Sequence, residues 1–304
     1  MKTAVVTDST AYLPEKLRKQ FNIHLIPLSV IFGHEAYKEE VELSAGEFYE
    51  RVREDKELPT TSQPPIGMFT ELYKKLAEDY EAIVSIHLSS GISGTYHGAV
   101  TAGSMAPVKV YPYDTESSCL IQGFYALEAA KMAQEGRGPE EIIARLDELK
   151  KSTKGYFIAD DLIHLQRGGR LSGAQALIGS LLQVKPILHF ENKVIVPFEK
   201  VRTKKKAMKR IEELLEEDAK SGEPLRAAIA HANREEEALE WKEKWEKKFP
   251  NVEFTISYFG AVIGTHLGEG AMGGRLDEKI SRLFRIMKIA ISPVYNCIVT
   301  GVFL

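Results

Sequence analysis

The strongest constraint on this chain is a strand-like run that breaks into a turn rich in serine and glycine. The run extends from Ile83 to Leu88, and the turn, from Ser89 to Thr95, leads into a segment that is compatible with a helix. A strand, a glycine-rich turn and a helix start gather unpaired backbone N–H groups, and the helix dipole favours an anion beside them. The stretch therefore predicts an oxyanion site, although the same residues also fit an ordinary turn in which Ser93 is a helix N-cap.

Composition and charge narrow the class of protein. The chain has 304 residues, enough for two domains, and its net charge of −3 argues against a nucleic-acid partner, since no excess of lysine and arginine can neutralise phosphates. The two cysteines, Cys119 and Cys297, lie far apart and lack metal-ligand spacing. No apolar run reaches the ~18 residues that indicate a membrane-spanning helix, and the N-terminus runs directly into a strand-like segment. We expect a cytoplasmic protein that does not span a membrane.

Strand-like and helical segments alternate through the first half of the chain, which predicts a mostly parallel sheet with flanking helices. The expected strands are residues 4–7, 24–32, 83–88 and 108–113. Asp8 and Asp114 directly follow two of them. Because the carboxyl ends of parallel strands meet at one edge, these polar residues are expected to lie near Ser93, where open α/β sheets bind ligands.

Two further hydroxyls are expected at the same edge. Thr61 and Ser62 lie in a proline-rich segment, residues 59–65, which we interpret as a stiff loop without regular structure. The loop would hold both hydroxyls ahead of the helix that follows.

The order of strand-like and helical segments changes near residue 153, from regular alternation to an α+β pattern. A hairpin is expected from residues 185–190 and 193–198, and the glycine-rich stretch 262–270 is interpreted as a loop that brings His266 close to a ligand. An exposed histidine in a simple turn fits that stretch as well.

We therefore divide the chain into three parts. These are an α/β domain (1–153) with the hydroxyl-rich site, an α+β domain (154–273) that contributes His266, and an atypical tail (274–304). An extra terminal helix and strand, or a non-native read-through, both fit the tail.

Six short segments, taken together and in order, resemble the DegV family of bacterial fatty-acid-binding proteins. They are Thr7–Thr10, Thr61–Pro64, Ser89–Tyr96, Leu165–Leu171, Lys185–Leu188 and Ile263–His266. Each segment is weak alone, but their shared order over residues 3 to 272 makes the assignment specific. The resemblance implies a two-domain DegV-like fold, with an N-terminal mostly parallel sheet and a C-terminal α+β domain. It also implies a long-chain fatty acid held between and within the domains.

The resemblance also implies roles for individual residues. The fatty-acid carboxylate would be held by Ser93, Ser62, Thr61, Gly94 and His266. Arg170 and Arg202 match basic positions near the mouth of the site, where the implied role is to contact phosphate or the partner; ordinary surface charge is the alternative. Family members act as acyl carriers that present the carboxylate to a separate ATP-dependent fatty acid kinase subunit, which makes an acyl phosphate. The implied ligand is the fatty acid itself, with no cofactor and no metal.

Two departures from the family pattern bear on this site. His97 and Gly98 stand where an amide-bearing and a small hydroxyl residue are expected, a change that could alter the helix after the turn. Glu269 occupies a position where proline is expected, and a carboxylate beside His266 could hold the imidazole protonated.

An enzyme remains the alternative to a carrier. Ser93, His266 and either Asp8 or Asp114 supply the residue types of a serine hydrolase. A nucleophile elbow has the pattern G-x-S-x-G, however, whereas Gly94 directly follows the serine here. The sequence contains no P-loop, zinc-ligand spacing or dinucleotide fingerprint. We interpret the chain as a non-catalytic lipid carrier, with a serine-dependent hydrolase or another acyl-transferring enzyme as the alternative.

Overall fold

The computed structural model describes residues 1–55, 58–171 and 185–278. The strands are β1 (Thr3–Asp8), β2 (Ile23–Ile26), β3 (Ser29–Phe32), β4 (Glu35–Lys38), β5 (Thr60–Ser62), β6 (Ala82–His87), β7 (Lys109–Asp114), β8 (Lys154–Ile158), β9 (Ile187–Glu191), β10 (Val194–Glu199), β11 (Leu225–His231), β12 (Val252–Tyr258) and β13 (Met272–Glu278). The α-helices are α1 (Glu15–Gln20), α2 (Ala45–Glu54), α3 (Ile66–Leu76), α4 (Thr95–Gly103), α5 (Leu120–Gln134), α6 (Pro139–Ser152), α7 (Leu162–Arg167), α8 (Lys204–Ala219), α9 (Glu235–Lys248) and α10 (Ala261–Leu267).

The first sheet is parallel, with strand order β2-β1-β6-β7. Every residue of β1 and β6 is buried, because α3 and α4 pack on one face of the sheet while α5 and α6 pack on the other. Burial on both faces is typical of parallel sheets and explains the nearly continuous apolar runs. The strands end at Asp8, His87 and Asp114, which lie along one edge. The predicted α/β class is confirmed.

The second sheet has the strand order β10-β9-β8-β13-β11-β12, and only the β11–β12 pair is parallel. Helices α8 and α9 cover one face, where Trp245 is almost fully buried. The opposite face carries Ala230 and Phe157, which pack with residues from the first part of the chain. The predicted hairpin is present as β9 and β10, and its turn residues Asn192 and Lys193 both have positive φ, at 48° and 73°.

Two local predictions in the first half of the chain are wrong. Residues 24–32 do not form one strand: β2 belongs to the parallel sheet, and β3 joins an antiparallel sheet of order β4-β3-β5. Pro27, which cannot donate to a ladder, separates them. Thr61 and Ser62 are not in an irregular loop, because they belong to β5 and pair with Val30 and Ser29. The prolines flank this short strand, so its β-branched threonines remain free to pair.

The glycine-rich stretch around His266 is helical rather than a loop. Helix α10 begins after Gly260 and ends before Gly268, whose φ of 77° stops the helix. A Cβ at Gly264 would lie 2.6 Å from the hydroxyl oxygen of Tyr49, so this glycine permits close packing of α10 on helix α2. Glycines that suggested an open turn therefore serve helix packing and helix termination.

The second predicted boundary, at residue 273, falls inside strand β13. This strand lies between β8 and β11 and pairs with both. Residues 274–278 therefore continue the second sheet, and the rest of the predicted tail, residues 279–304, lies outside the described residues.

Truncation after Gly273 is expected to abolish folding of the second sheet, because it removes most of a strand that has a neighbour on each side. Truncation after Glu278 keeps every β13 pairing and is the matched control. Circular dichroism and urea denaturation of the two products provide the measurement. Equal stability of the two products would contradict a structural role for residues 274–278.

Candidate functional site

A cavity of about 310 Å³ lies between the second sheet and the first part of the chain. Most of its wall is apolar, with Leu88, Ile92, Phe190, Phe259 and Ile263 among the residues that line it. Polar side chains also line it, and they include Thr61, Ser62, Gln63, Ser93, Arg170 and His266. The structure therefore brings all five predicted carboxylate ligands to one cavity, since Gly94 lines it as well.

A hydrogen bond joins two of the predicted ligands across distant parts of the sequence. Thr61 Oγ1 and His266 Nε2 lie 2.9 Å apart, and both side chains are partly buried. Strand β5 supplies the threonine and the last turn of α10 supplies the histidine. Either atom can be the donor, depending on the imidazole tautomer, so the pair can leave one polar hydrogen for a ligand.

His266 is neutral at physiological pH. Burial lowers the pKa of its imidazole to about 4, and the positive charge of Arg170 and the nearby His164 act in the same direction. The expectation that Glu269 holds this imidazole protonated is wrong. The Glu269 carboxylate instead binds the guanidinium of Arg53 and the side-chain amide of Asn233.

The turn before α4 carries the next two predicted ligands. Ser93 Oγ lies 2.8 Å from Thr95 Oγ1 and accepts the Thr95 backbone N–H at 3.3 Å. Ser93 therefore satisfies one free N–H group at the start of the helix, as an N-cap side chain does. Gly94 precedes the first helical residue, and a Cβ there would lie 2.0 Å from Gln63 Oε1. Only glycine lets the Gln63 side chain lie this close to the start of the helix, where backbone N–H groups lack helical acceptors.

Helix α4 continues regularly through His97 and Gly98 despite the departure from the family pattern. A Cβ at Gly98 would come within 3.2 Å of the Phe69 ring, so glycine here allows α3 and α4 to approach closely. The departure does not break the helix.

The hairpin tip of the second sheet holds the serine-rich turn from the other side. Ser89 Oγ donates to the Lys193 backbone carbonyl at 2.6 Å, and the Lys193 ammonium lies 3.0 Å from Asp114 Oδ2. Asp114 also accepts the backbone N–H of Ser90 at 3.2 Å. A Cβ at Gly91 would lie only 2.3 Å from the Lys193 oxygen, so glycine is needed for this contact.

The structure separates the two predicted arginines. Arg170 is half-buried and lines the cavity, where its Nε donates to the Ile92 carbonyl at 3.0 Å and its Nη1 donates to the Gly168 carbonyl. It thereby ties the end of α7 to the residue before Ser93. Arg202 is exposed, just before α8, and does not line the cavity within the described part of the chain.

The hydrolase triad considered above is not assembled. His266 is bonded to Thr61, and the Asp8 carboxylate is bonded to His87 Nδ1 at 3.0 Å. The Asp114 carboxylate is bonded to the Ser90 backbone N–H and to the Lys193 ammonium. The Asp8–His87 contact is extended by two further hydrogen bonds, from His87 Nε2 to Ser85 Oγ at 2.7 Å and from Ser85 Oγ to the Tyr73 hydroxyl. This chain of hydrogen bonds was not predicted from the sequence. It has serine, histidine and aspartate in series, but all of these side chains are fully buried, so no substrate reaches the Ser85 hydroxyl.

Within residues 1–55, 58–171 and 185–278, no group of three or more histidine, cysteine, aspartate or glutamate side chains is arranged to hold a metal ion. None of the helices described in these ranges is long and apolar enough to cross a membrane.

Comparisons with known proteins agree with the resemblance. A family model described as "Uncharacterised protein, DegV family" matches residues 2–278, and the chain belongs to this family. The protein DegV of Bacillus subtilis is 62% identical over 275 residues, which cover 90% of this chain and 98% of that protein. The crystal structure of B. subtilis DegV, described as a fatty acid binding protein, superposes with a TM-score of 0.88, at 62% identity, and covers 92% of this chain and 100% of that one.

A more distant solved structure supports the same fold. It is described as fatty acid binding of a DegV family protein from Thermus thermophilus, and it superposes with a TM-score of 0.85 at 31% identity. The match covers 92% of this chain and 100% of that chain. The predicted family and fold class are thus confirmed.

A pH dependence of stability follows from the neutral imidazole. The folded-state pKa of about 4 lies below the ordinary value of 6.5, so the unfolded chain takes up the proton first and stability is lost as the pH falls from 6.5 towards 4. His266 alone should account for about 3 kcal/mol of this loss. Urea denaturation of ligand-free protein at pH 7 and pH 4 should therefore show a smaller loss for His266→Gln than for the unmodified chain. Equal losses would contradict a neutral buried imidazole.

Proposed function

We propose that this protein binds a long-chain fatty acid through its carboxylate and presents it to a separate ATP-dependent kinase subunit, which converts it to an acyl phosphate. The main observation behind the proposal is the cavity, which combines a mostly apolar wall with the Thr61–His266 pair and the Ser93 turn. An amphiphile with one small anionic group matches this distribution of polar and apolar surface.

The polar groups can bind a carboxylate without a nucleophile. The hydroxyls of Ser93, Thr61 and Ser62, the backbone N–H of Gly94 and the imidazole of His266 are candidate donors. Arg170 adds positive charge beside them, although part of its guanidinium is bonded to backbone carbonyls. Hydrogen bonds to a charged group are worth ~1.5–3 kcal/mol each, enough to orient the head group.

The acyl chain would supply most of the affinity. Each buried CH₂ contributes ~0.8 kcal/mol, so ~16 carbons could contribute about 12 kcal/mol before ordering costs. The mixed aliphatic and aromatic wall, with Ile92, Phe190 and Phe259, offers apolar contact without specific polar partners for the chain.

A carrier role fits the local chemistry better than hydrolysis does. Ser93 Oγ is bonded to Thr95 Oγ1, while His266 Nε2, the atom that could serve as a base, is bonded to Thr61. A serine hydrolase requires the base to take the proton of the nucleophilic serine. The ATP that donates the phosphoryl group would be bound by the kinase subunit, because this sequence lacks a P-loop.

The first test identifies the ligand. Denaturing extraction of purified protein and mass spectrometry should release fatty acid at near-equal molarity. Titration of delipidated protein with free acids should show that removing four carbons weakens binding by up to about two decades in dissociation constant, and a matched methyl ester should bind more weakly than its acid. A flat response to chain length, or turnover of the ester that disappears in Ser93→Ala, would favour the hydrolase instead.

Ser93→Ala is expected to weaken fatty-acid binding by roughly 10- to 150-fold without unfolding the protein, because it removes one donor to the carboxylate. The lost contacts with Thr95 should lower the melting temperature only modestly. Ser104→Ala is the matched control, since Ser104 is exposed at the end of the same helix and bonds only locally. Unchanged affinity in Ser93→Ala would remove this hydroxyl from the proposed site.

A further test concerns the kinase subunit. Arg202→Ala should leave the fatty-acid affinity unchanged and slow acyl-phosphate formation by the cognate kinase, roughly tenfold at low salt, because an exposed rim charge acts mainly on association. Arg137→Ala, which removes an exposed arginine between α5 and α6, is the control. A normal rate in Arg202→Ala, or a loss of lipid binding, would contradict a partner-facing role.

A further inference from the structure

Glu39 is a fully buried carboxylate that the sequence analysis did not single out. It follows strand β4, and its two oxygens accept three hydrogen bonds, all from groups distant in sequence. The donors are Ser9 Oγ at 2.6 Å, Tyr12 Oη at 3.0 Å and the Val262 backbone N–H at 2.7 Å. In the part of the chain that the structure describes, no lysine, arginine or histidine forms an ion pair with Glu39.

Two of these contacts reach the start of helix α10. Val262 N–H donates directly to Glu39, and Ile263 N–H donates to Tyr12 Oη at 3.2 Å, which itself donates to Glu39. Both N–H groups belong to the first turn of the helix, where they have no helical acceptor. The helix dipole also favours a negative charge at this position. The same helix carries His266 in its last turn.

The other end of the contact network reaches the first part of the chain. Ser9 Oγ donates to Glu39 and accepts the Leu28 backbone N–H at 3.1 Å. Leu28 precedes β3, the strand that pairs with Thr61 in β5. The carboxylate therefore connects the segment that positions Thr61 with the helix that positions His266.

The packing around Glu39 leaves little freedom. A Cβ at Gly260 would lie 2.3 Å from Tyr12 Cε1 and 3.0 Å from Glu39 Oε1, so α10 begins in direct contact with both side chains. A buried carboxylate without a cationic partner is costly for stability. Burial raises the pKa of Glu39 to about 7, although the hydrogen bonds from Ser9 and Val262 oppose this rise.

We propose that Glu39 is a positioning residue for the ligand head group: it holds helix α10 in place so that His266 meets Thr61 at the cavity. The inference rests on the proposed fatty-acid function, because it assigns Glu39 to the same site. Glu39 itself does not line the cavity, and its effect passes through Val262, Ile263 and His266, which do.

The test measures fatty-acid affinity and melting temperature together. Glu39→Ala should weaken binding of palmitic acid about tenfold, a loss within the range of one hydrogen bond to a charged group. Glu39→Gln keeps an oxygen for Val262 N–H and Tyr12 Oη and should stay within about threefold of the unmodified protein. Tyr12→Phe removes the acceptor of Ile263 N–H together with one donor to Glu39, and it should weaken binding in the same direction. This variant replaces Glu39→Ala in the test if Glu39→Ala does not fold.

Glu212→Ala is the matched control for lost stability. Glu212 is also a buried carboxylate with three donors, from Lys244, Trp245 and Lys248, but it lies away from the cavity. Its substitution should lower the melting temperature without changing the affinity for palmitic acid.

A double-mutant cycle separates positioning from general stability. In a His266→Ala background, adding Glu39→Ala should cost less than about threefold in affinity, because the contact through which Glu39 acts is already gone. An undiminished tenfold loss in that background, or equal losses in Glu39→Ala and Glu212→Ala, would overturn the proposal. Failure of the unmodified protein to bind palmitic acid would instead refute the proposed function.

Discussion

The structure depends on small side chains that keep an apolar cavity open between its second sheet and the rest of the chain. Gly155, Ala228, Ala230 and Gly273 line the cavity from three neighbouring strands. Protein interiors are close-packed, so a void persists only where the surrounding side chains are too short to fill it. A ligand that fills the cavity therefore stabilises the fold as well as occupying its site.

The polar part of the cavity carries little positive charge of its own. His266 is neutral, and Arg170 uses part of its guanidinium to hold the backbone at Ile92 and Gly168. A carboxylate clamped by a free bidentate arginine would be strongly held and would lose much of its reactivity. Hydroxyl and amide donors would hold it more weakly, which is consistent with the proposed carrier function, in which the carboxylate must remain free to attack a phosphoryl group.

The parallel sheet could be predicted from the sequence because its signals are local. The strands β1 and β6 are short apolar runs, and each is followed at once by the polar turn that lies at the sheet edge. Strand β5 could not be predicted in the same way. Thr61 becomes part of a strand only because β3, about thirty residues earlier, offers a free edge. His266 was assigned to a loop because glycine is common both in turns and at close helix contacts, and the sequence does not distinguish the two. Here Gly264 permits close packing against Tyr49.

Contacts between distant residues account for the parts of the site that sequence patterns missed. Three acidic side chains each accept a backbone N–H from a segment that carries a predicted ligand: Asp8 from Leu88, Asp114 from Ser90, and Glu39 from Val262. The sequence places Asp8 and Asp114 at the sheet edge but does not single out Glu39. It reveals none of the three contacts, because the partners lie 80, 24 and 223 positions away respectively.

The three acids follow one physical rule. A turn or helix start that must offer donors to a ligand leaves other N–H groups without acceptors, and a buried donor without a partner is costly. A carboxylate that accepts such an N–H from the side away from the cavity leaves the donors on the cavity side free for the ligand. The serine-rich turn and helix α10 are both held in this way, by acids from the first sheet and from the segment after β4. In the proposed site, the turn and the helix that carry the candidate ligands are thus held by acidic side chains that do not line the cavity.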